Sequence, residues 1–291
     1  MSYGRAGIVK ELCALAAVFL PANDRETVNF RLCSAALLGY ARLMKTAICI
    51  LAALSASAFA KIQTELITYK DGGTELEGFL AYDDAVKTPR PGVLVIHDWT
   101  GLQDYTKSRT TQLAELGYVA FAADIYGKGV RPTDSKDCAI QAGTYKKDLP
   151  LLRKRVLLGL AQLKAQKNVD AAKLGAIGYC FGGTSVLELA RSGEKVAGVV
   201  SFHGGLSTTL PAEKGKVKAK VLVCHGGADG HVNAEVPDFK VEMEKAGVDM
   251  TFVSYEGAQH GFTKPGAAYQ EKADKESWSA MKKFFTGLFG K

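Results

Sequence analysis

Apolar and polar residues alternate along two short segments, residues 63–69 and 75–82, which are separated by Asp71-Gly72-Gly73. Strict alternation is typical of a strand with one buried and one solvated face, and a glycine-rich turn between two such strands predicts an antiparallel hairpin. The pattern then changes to continuous apolar runs, which are typical of strands covered on both faces. These buried runs lie at residues 93–96, 119–123, 174–177, 196–202, 221–224 and 252–255.

Segments with helical periodicity lie between the buried runs, the clearest at residues 107–116, 151–164, 184–191, 235–245 and 271–288. Strands that alternate with helices predict a mostly parallel, twisted sheet with helices on both faces. An N-terminal antiparallel hairpin leading such a sheet is the order of the α/β-hydrolase fold, which is our predicted fold class. A Rossmann-like fold is the alternative, but no Gly-x-Gly-x-x-Gly follows the first buried run. We expect the polar, turn-rich segment 127–150 to cover the pocket and to contribute most to substrate selection.

The first 60 residues differ in character from the rest of the chain. Met44-Lys45 is followed by a short apolar segment and then by Ala58-Phe59-Ala60, and these are the three parts of a secretory signal peptide. We therefore predict a signal peptide at residues 44–60, from Met44 to Ala60, a secreted or periplasmic location, and a single α/β-hydrolase domain at residues 61–291. We interpret residues 1–43 as an upstream extension translated ahead of the natural start at Met44. The alternative is a genuine extension with an apolar helix at residues 11–20.

Composition and charge limit the range of partners. The 291 residues are 47% hydrophobic, which is enough for a sizeable core, and the net charge of +7 comes from dispersed residues of both signs. No basic run is long enough to follow a nucleic-acid backbone, and the apolar part of the leader is too short to span a bilayer. We therefore expect no nucleic acid, no membrane span in the mature form and no cofactor, and we expect a monomer. Cys138, Cys180 and Cys224 are the cysteines after residue 60, and their odd number argues against a disulfide framework.

Gly178-Tyr179-Cys180-Phe181-Gly182 has the Gly-x-nucleophile-x-Gly pattern of a nucleophile elbow. It follows one buried run and precedes a helical segment, which is the strand-turn-helix context that the motif requires. The turn is so tight that only glycine fits easily two positions before and after the central residue. The sequence therefore predicts that the Cys180 thiol stands at the top of the sheet, beside the first amides of a helix. The alternative is a buried structural cysteine.

A hydrolase of this fold has the chain order nucleophile, acid, histidine. Asp229 follows the fifth buried run and His260 follows the sixth, so both lie where that order requires them. His260 would take the thiol proton or hold it in an ion pair, and Asp229 would fix the ring tautomer. The backbone N–H groups of Phe181 and Trp99 would stabilise the oxyanion. A helix-capping role for Asp229 and a surface-loop position for His260 are the alternatives.

Four segments carry a resemblance to a known family, namely Val95-Ile96-His97-Asp98-Trp99-Thr100-Gly101, Ala123-Asp124-Ile125-Tyr126, Gly178-Tyr179-Cys180-Phe181-Gly182-Gly183 and Gly257-Ala258-Gln259-His260-Gly261-Phe262. With them the chain resembles the dienelactone hydrolase family from about residue 63 to its C-terminus, and the cysteine elbow is the most specific match. The resemblance implies that the family's Cys-His-Asp triad is Cys180, His260 and Asp229. It also implies hydrolysis of a small ester or lactone, as by a carboxymethylenebutenolidase, through an acyl-thioenzyme.

The resemblance also assigns three charged residues near the nucleophile. The family has an acid, usually Glu, before the oxyanion-hole amide, and here that position is Asp98. A carboxylate beside a thiol would disfavour the thiolate until a substrate anion displaced it. The two arginines with which dienelactone-cleaving members hold the substrate carboxylate correspond to Lys128 and Lys264, which supply charge without a bidentate fork. An anionic substrate is therefore one expectation. The alternatives are solvated surface lysines and an Asp98 that pairs locally or caps a helix.

Two other functions fit parts of the sequence. His97, His203, His225 and His231 could crowd adjacent strand ends and bind a metal, but they lack a compact ligand spacing such as His-Glu-x-x-His. We therefore predict no metal site. A non-catalytic secreted binding module on the same fold is the other alternative to a hydrolase.

Overall fold

The computed structural model describes residues 61–290, and the predicted signal peptide and upstream extension lie outside the described residues. The strands are β1 (Ile62–Asp71), β2 (Thr74–Asp83), β3 (Arg90–Ile96), β4 (Val119–Ala123), β5 (Val169–Tyr179), β6 (Gly198–Phe202), β7 (Lys220–Gly226) and β8 (Met250–Tyr255). The α-helices are α1 (Asp104–Glu115), α2 (Ser135–Lys147), α3 (Leu149–Lys164), α4 (Phe181–Arg191), α5 (Val236–Ala246) and α6 (Glu271–Phe289). Of the helices within residues 61–290, none combines the length and the apolar character that a bilayer crossing requires.

The strands form one sheet in the order β1-β2-β4-β3-β5-β6-β7-β8. β1 pairs antiparallel with β2, and β2 pairs antiparallel with β4. All pairs from β4 across to β8 are parallel. The predicted fold class, an α/β-hydrolase sheet led by an antiparallel hairpin, is therefore confirmed. Because the carboxyl ends of parallel strands meet at one edge of the sheet, the loops after β3, β5, β7 and β8 are brought to that edge.

The hydrophobic core lies on both faces of the sheet, because successive residues of a strand point to opposite faces. On β3, Leu94 and Ile96 pack in one cluster with α3 and α4, whereas Val93 and Val95 pack in a second cluster with α1 and α6. Every residue of α4 is buried. The helix that begins at the predicted nucleophile is therefore fixed by packing along its whole length.

Helix α2 lies within segment 127–150, where the periodicity of the sequence predicts no helix. It begins after Asp134, whose carboxylate accepts hydrogen bonds from two N–H groups of the first turn. Its buried residues are Cys138, Ala142 and Tyr145. These three make only a narrow buried stripe, and the apolar side chain of Ile140 lies on the exposed side. Packing against the rest of the domain therefore stabilises the helix more than its own pattern does.

A substitution at Gly182 would show how tightly the turn between β5 and α4 is packed. A Cβ at this position would lie 2.1 Å from the carbonyl oxygen of Ile96, which belongs to the sheet backbone. Gly182→Ala should therefore lower the free energy of unfolding by about 3 kcal/mol, in the upper part of the range for overpacking. Gly143→Ala is the matched control, because a Cβ at that position of α2 meets nothing within 4 Å.

The control substitution should raise the free energy of unfolding by about 0.5–1 kcal/mol, since alanine restricts the unfolded chain and suits a helix. Denaturant unfolding of both variants measures the difference. Equal stability of the Gly182→Ala and Gly143→Ala proteins would contradict the packing described for the turn.

Candidate active site

Cys180 occupies the turn between β5 and α4, in the context that the elbow motif requires. Its backbone has φ 53° and ψ −111°, so φ lies in the left-handed region that favours glycine. The Cys180 N–H donates to the carbonyl oxygen of Phe202 on β6 at 2.9 Å. A Cβ on Gly178 would lie 2.0 Å from the carbonyl oxygen of Gly182, so the turn closes only because both positions lack side chains. The thiol is thus held, partly exposed, at the amino end of α4.

His260 reaches the thiol from the loop after β8, and Asp229 reaches His260 from the loop after β7. His260 Nε2 lies 3.0 Å from Cys180 Sγ, and His260 Nδ1 lies 2.8 Å from Asp229 Oδ2. The second carboxylate oxygen of Asp229 accepts the N–H of His231 at 3.0 Å, and the Asp229 side chain is fully buried. The three predicted residues are therefore brought into one hydrogen-bonded series, with Asp229 fixed at its far end.

The charges in this series favour an imidazolium between a carboxylate and the thiol. Burial lowers the pKa of His260, but its hydrogen bonds to Asp229 and Cys180 outweigh burial and raise the pKa to about 10. For Asp229, burial raises the pKa, but the hydrogen bond and charge of His260 lower it below its usual range. His260 can therefore hold a proton taken from the thiol while remaining in contact with Asp229.

The two predicted oxyanion donors have N–H groups that make no hydrogen bond to any residue between 61 and 290. Phe181 is the first residue of α4, and Trp99 lies in the loop that follows β3. The Cys180 carbonyl accepts the N–H of Thr184 at 3.2 Å as the first bond of the helix. Because the Phe181 N–H belongs to the same peptide unit as that carbonyl, it points the opposite way, out of the amino end of α4.

Asp98 pairs with Lys264 and Thr100 instead of Cys180. Its Oδ2 lies 2.6 Å from Lys264 Nζ, and its Oδ1 accepts the Thr100 N–H at 2.8 Å and the Thr100 hydroxyl at 2.5 Å. Burial raises the pKa of Asp98, but the ammonium of Lys264 and the bonds from Thr100 lower it below its usual range. Among the described residues Asp98 makes no hydrogen bond to Cys180, so the direct restraint that the resemblance implies is not seen. The short aspartate side chain is held by its own loop and by Lys264.

The two lysines assigned to substrate binding have different surroundings. Lys264 follows His260 by four positions, and its half-buried side chain reaches Asp98 and Thr100 in the loop after β3. Lys128 is exposed in the loop after β4 and lies 3.9 Å from the Glu75 carboxylate. Lys264 is therefore next to the loop that carries a predicted oxyanion donor, whereas Lys128 pairs with the hairpin strand β2.

His203 and Thr263 are neighbours of the site that the sequence analysis did not assign to it. His203 follows β6 with a positive φ of 40°, and its ring makes an edge contact with that of His260 at 5.4 Å between centroids. Its Nε2 lies 2.7 Å from the Thr263 hydroxyl, which is also 2.7 Å from the hydroxyl of Tyr105. Burial lowers the pKa of His203 to about 3, so the ring is neutral beside the His260 imidazolium. The position of His203 directly after the buried strand β6 was the one feature of the sequence that could have indicated that it lies near the site.

The histidines considered as metal ligands are not gathered into one site. In the part of the chain that the structure describes, no three His, Cys, Asp or Glu side chains converge in a way that could hold a metal ion. Both ring nitrogens of His97 bond to the backbone, and Nε2 of His203 and Nε2 of His225 each bond to a neighbouring side chain. His231 lies edge to face with His260 at 5.8 Å between ring centroids.

Cys138 and Cys224 are both buried, unlike Cys180, and no cysteine at positions 61–290 forms a disulfide. Burial raises the pKa of Cys224 to about 12. Among these three cysteines, Cys180 therefore has the thiol that a reagent in solution can reach.

Known proteins resemble this chain over most of its length. A model described as the dienelactone hydrolase family matches residues 76–289. The solved structure m3DLH is 38% identical, with a TM-score of 0.75 over 78% of this chain and 99% of its own. A dienelactone hydrolase-like promiscuous phosphotriesterase from metagenomic libraries is 36% identical, with a TM-score of 0.75 over 79% of this chain and 100% of its own. An Aquifex aeolicus protein named "Putative carboxymethylenebutenolidase" is 27% identical over 76% of this chain and 97% of its own length.

Asp229→Asn should lower the pKa of His260 from about 10 toward its ordinary value of 6.5, because asparagine keeps the shape of the carboxylate but not its charge. The wild-type ring should stay protonated through neutral pH and release its proton only as the pH approaches 10. Since this pKa is raised in the folded state, the stabilisation that it gives is full below about pH 6.5 and is lost as the pH rises toward 10.

Ring-proton NMR titration measures this shift, with His260→Ala used to assign the signal. The same midpoint in the wild-type and Asp229→Asn proteins would contradict the role given to the carboxylate.

Proposed function

The chain belongs to the dienelactone hydrolase family, and we propose that it hydrolyses a small ester or lactone through Cys180, His260 and Asp229. The observation that carries the proposal is the hydrogen-bonded series from Cys180 Sγ to His260 Nε2 at 3.0 Å and from His260 Nδ1 to Asp229 Oδ2 at 2.8 Å. This series begins at a strained turn, and other described residues leave the N–H groups of Phe181 at that turn and of Trp99 in the loop after β3 unbonded. Nucleophile, base, orienting acid and oxyanion donors are the parts that acyl transfer needs.

In the first half of the proposed reaction, His260 holds the proton of Cys180 while Sγ forms a bond to the carbonyl carbon of the substrate. The carbonyl π electrons move to oxygen, and the resulting oxyanion accepts hydrogen bonds from the Phe181 and Trp99 N–H groups. As the oxyanion collapses, the bond from carbon to the alkoxy oxygen breaks, and His260 gives its proton to that oxygen. An ester releases an alcohol, whereas a lactone opens and keeps its new hydroxyl group on the acyl chain.

In the second half, water attacks the carbonyl carbon of the thioester on Cys180. His260 takes a proton from the water, and the same two N–H groups stabilise the second oxyanion. Collapse breaks the carbon–sulfur bond, releases the carboxylic acid and returns the proton to the Cys180–His260 pair. Asp229 remains ionised throughout, because its role is to orient the ring and stabilise the imidazolium.

We further propose that a carboxylate on the substrate binds Lys264. The Lys264 ammonium is half-buried and lies 2.6 Å from Asp98, so a substrate anion would compete with Asp98 for the same cation. Lys128 is a weaker candidate, because it is exposed and next to Glu75 on β2. A neutral ester would leave the Asp98–Lys264 pair intact, and the two kinds of substrate should therefore respond differently when Lys264 is replaced.

The predicted location and the alternative of a binding module each add a test of the proposal. A secreted or periplasmic location rests on residues 44–60 alone, and an N-terminus at Lys61 in the natural product would support it. A non-catalytic binding module on this fold would bind small molecules without turnover. Because one solved relative is a promiscuous phosphotriesterase, a substrate screen should include phosphotriesters as well as esters and lactones.

Cys180→Ala should reduce ester hydrolysis by about 10³-fold or more, since the nucleophile is lost while the oxyanion donors remain. Cys138→Ala is the control. Because the Cys138 thiol is buried, its removal should leave the rate of hydrolysis nearly unchanged. The measurement is kcat/KM for a panel of small esters and lactones, with circular dichroism to verify that both variants fold. Full activity in Cys180→Ala would refute the proposed nucleophile, and no turnover of any ester by the wild type would favour the binding module.

Lys264→Met should raise the KM for an ester that carries a carboxylate by about tenfold, which is the effect of losing one charge-assisted hydrogen bond. The KM for a neutral ester with the same leaving group should change much less. Lys128→Met is the matched control and should affect both esters equally. Equal changes for the two esters in Lys264→Met, or the selective effect in Lys128→Met instead, would count against Lys264 as the anion-binding residue.

A further inference from the structure

His97 is a fully buried histidine, and both of its ring nitrogens bond to the backbone. Its Nε2 accepts the N–H of Ile125 at 3.2 Å, so Nε2 carries no proton and the ring proton is on Nδ1. Nδ1 lies 2.7 Å from the carbonyl oxygen of Asp98, to which it therefore donates. His203 and His225 differ, because each leaves Nδ1 without a hydrogen-bond partner within the described residues.

The carbonyl that His97 holds belongs to the peptide unit of Asp98 and Trp99. This is the unit whose N–H, on Trp99, is the second proposed oxyanion donor. The described peptide bonds are all trans, and in a trans peptide the C=O and N–H point in opposite directions. The Asp98 carbonyl also accepts the Gly101 N–H at 3.2 Å, so two donors fix it from one side. Fixing the carbonyl oxygen therefore sets the direction in which the Trp99 N–H points.

The same ring also touches the residue that supplies the first oxyanion donor. The His97 ring stacks on the ring of Phe181, with 5.9 Å between centroids and 24° between planes. Tyr126 packs edge-on against His97 at 4.7 Å, and its hydroxyl donates to the Trp99 carbonyl oxygen at 3.2 Å. The His97 imidazole thus contacts both the loop after β3 and the first residue of α4.

We propose that His97 is a positioning residue of the oxyanion hole, which aims the Trp99 N–H through the Asp98 carbonyl and holds it in register with the Phe181 N–H. The inference rests on the proposed hydrolytic function, since it concerns the donors of that reaction. His97 itself does not touch the reacting atoms. Burial lowers the pKa of His97, so the neutral ring keeps the lone pair that accepts from Ile125.

A pair of nearly isosteric variants separates the hydrogen bond from the packing. His97→Asn keeps an N–H donor at the place of Nδ1, whereas His97→Leu puts a methyl group there. Both variants lose the acceptor for Ile125 and the contact with Phe181, so the difference between them reports the bond to Asp98. If the leucine variant does not fold, His97→Ala replaces it, because it also lacks the donor.

Two reactions of Cys180 provide the readouts, and circular dichroism verifies folding. Acylation, followed as the burst of p-nitrophenol from p-nitrophenyl acetate, forms an oxyanion. Alkylation by iodoacetamide displaces iodide and forms none. We expect the burst rate of His97→Leu to fall about tenfold to a hundredfold below that of His97→Asn, as for a small displacement of a catalytic group. The alkylation rates of the two variants should be equal.

Three results would overturn the inference while leaving the proposed function intact. They are wild-type burst rates in both variants, equal losses in both, and a parallel loss of acylation and alkylation in His97→Leu. No acylation of the wild-type protein would overturn the proposed function itself, and this inference with it.

Discussion

The site depends on one strained turn, in which Cys180 is held at φ 53° between β5 and α4. A positive φ on a residue with a side chain costs of the order of 1–3 kcal/mol and persists only where the surroundings over-determine it. Three sets of contacts hold the turn in this conformation. The Cys180 N–H bonds to β6, α4 is buried along its whole length, and Gly182 lies against the Ile96 carbonyl. The thiol is consequently fixed before any substrate arrives. Cys180 directly precedes a helix whose first N–H makes no hydrogen bond to residues 61–290.

The loops after β3, β7 and β8 meet near this thiol because the parallel strands end at one edge of the sheet. They carry Trp99, Asp229 and His260, of which His260 contacts the thiol and Asp229 contacts His260. The ion pair between Asp98 and Lys264 joins the loop after β3 to the loop that carries His260. A substrate anion that binds Lys264 would therefore act on two loops at once, and its charge would influence both the proposed oxyanion donor and the proposed base.

Much of this arrangement could be predicted from sequence because it is locally encoded. Continuous apolar runs correctly predicted the buried strands β3 to β7, but the run at residues 252–255 forms the edge strand β8, in which only Tyr255 is buried. The Gly-x-Cys-x-Gly pattern predicted the turn, and chain order indicated Asp229 and His260. Helix α2 was missed because its buried side is narrow and its residues are mostly polar. The partner of Asp98 was also missed, since Lys264 is 166 positions away and only the folded sheet brings the two together.

The part proposed for His97 could not be inferred from the sequence for a related reason. The sequence alone does not say which hydrogen bonds a histidine after a buried strand makes. The tautomer decides among these roles, and it is set here by the Ile125 N–H on a different strand-end loop. The residues proposed to carry out the chemistry can therefore be predicted from local sequence patterns. The residues proposed to position them cannot, because their roles depend on contacts between distant parts of the chain.

The most direct test of the account is peptide mapping of protein quenched with acid during turnover of a p-nitrophenyl ester. Tryptic cleavage after Lys173 and Arg191 gives a peptide in which Cys180 is the only cysteine. If Cys180 is the nucleophile, the acyl mass is found on this peptide, at Cys180, and is removed by a thioester-cleaving reagent such as hydroxylamine. Turnover with this peptide unmodified, or with the acyl group on another residue, would contradict the assignment of Cys180 as the nucleophile.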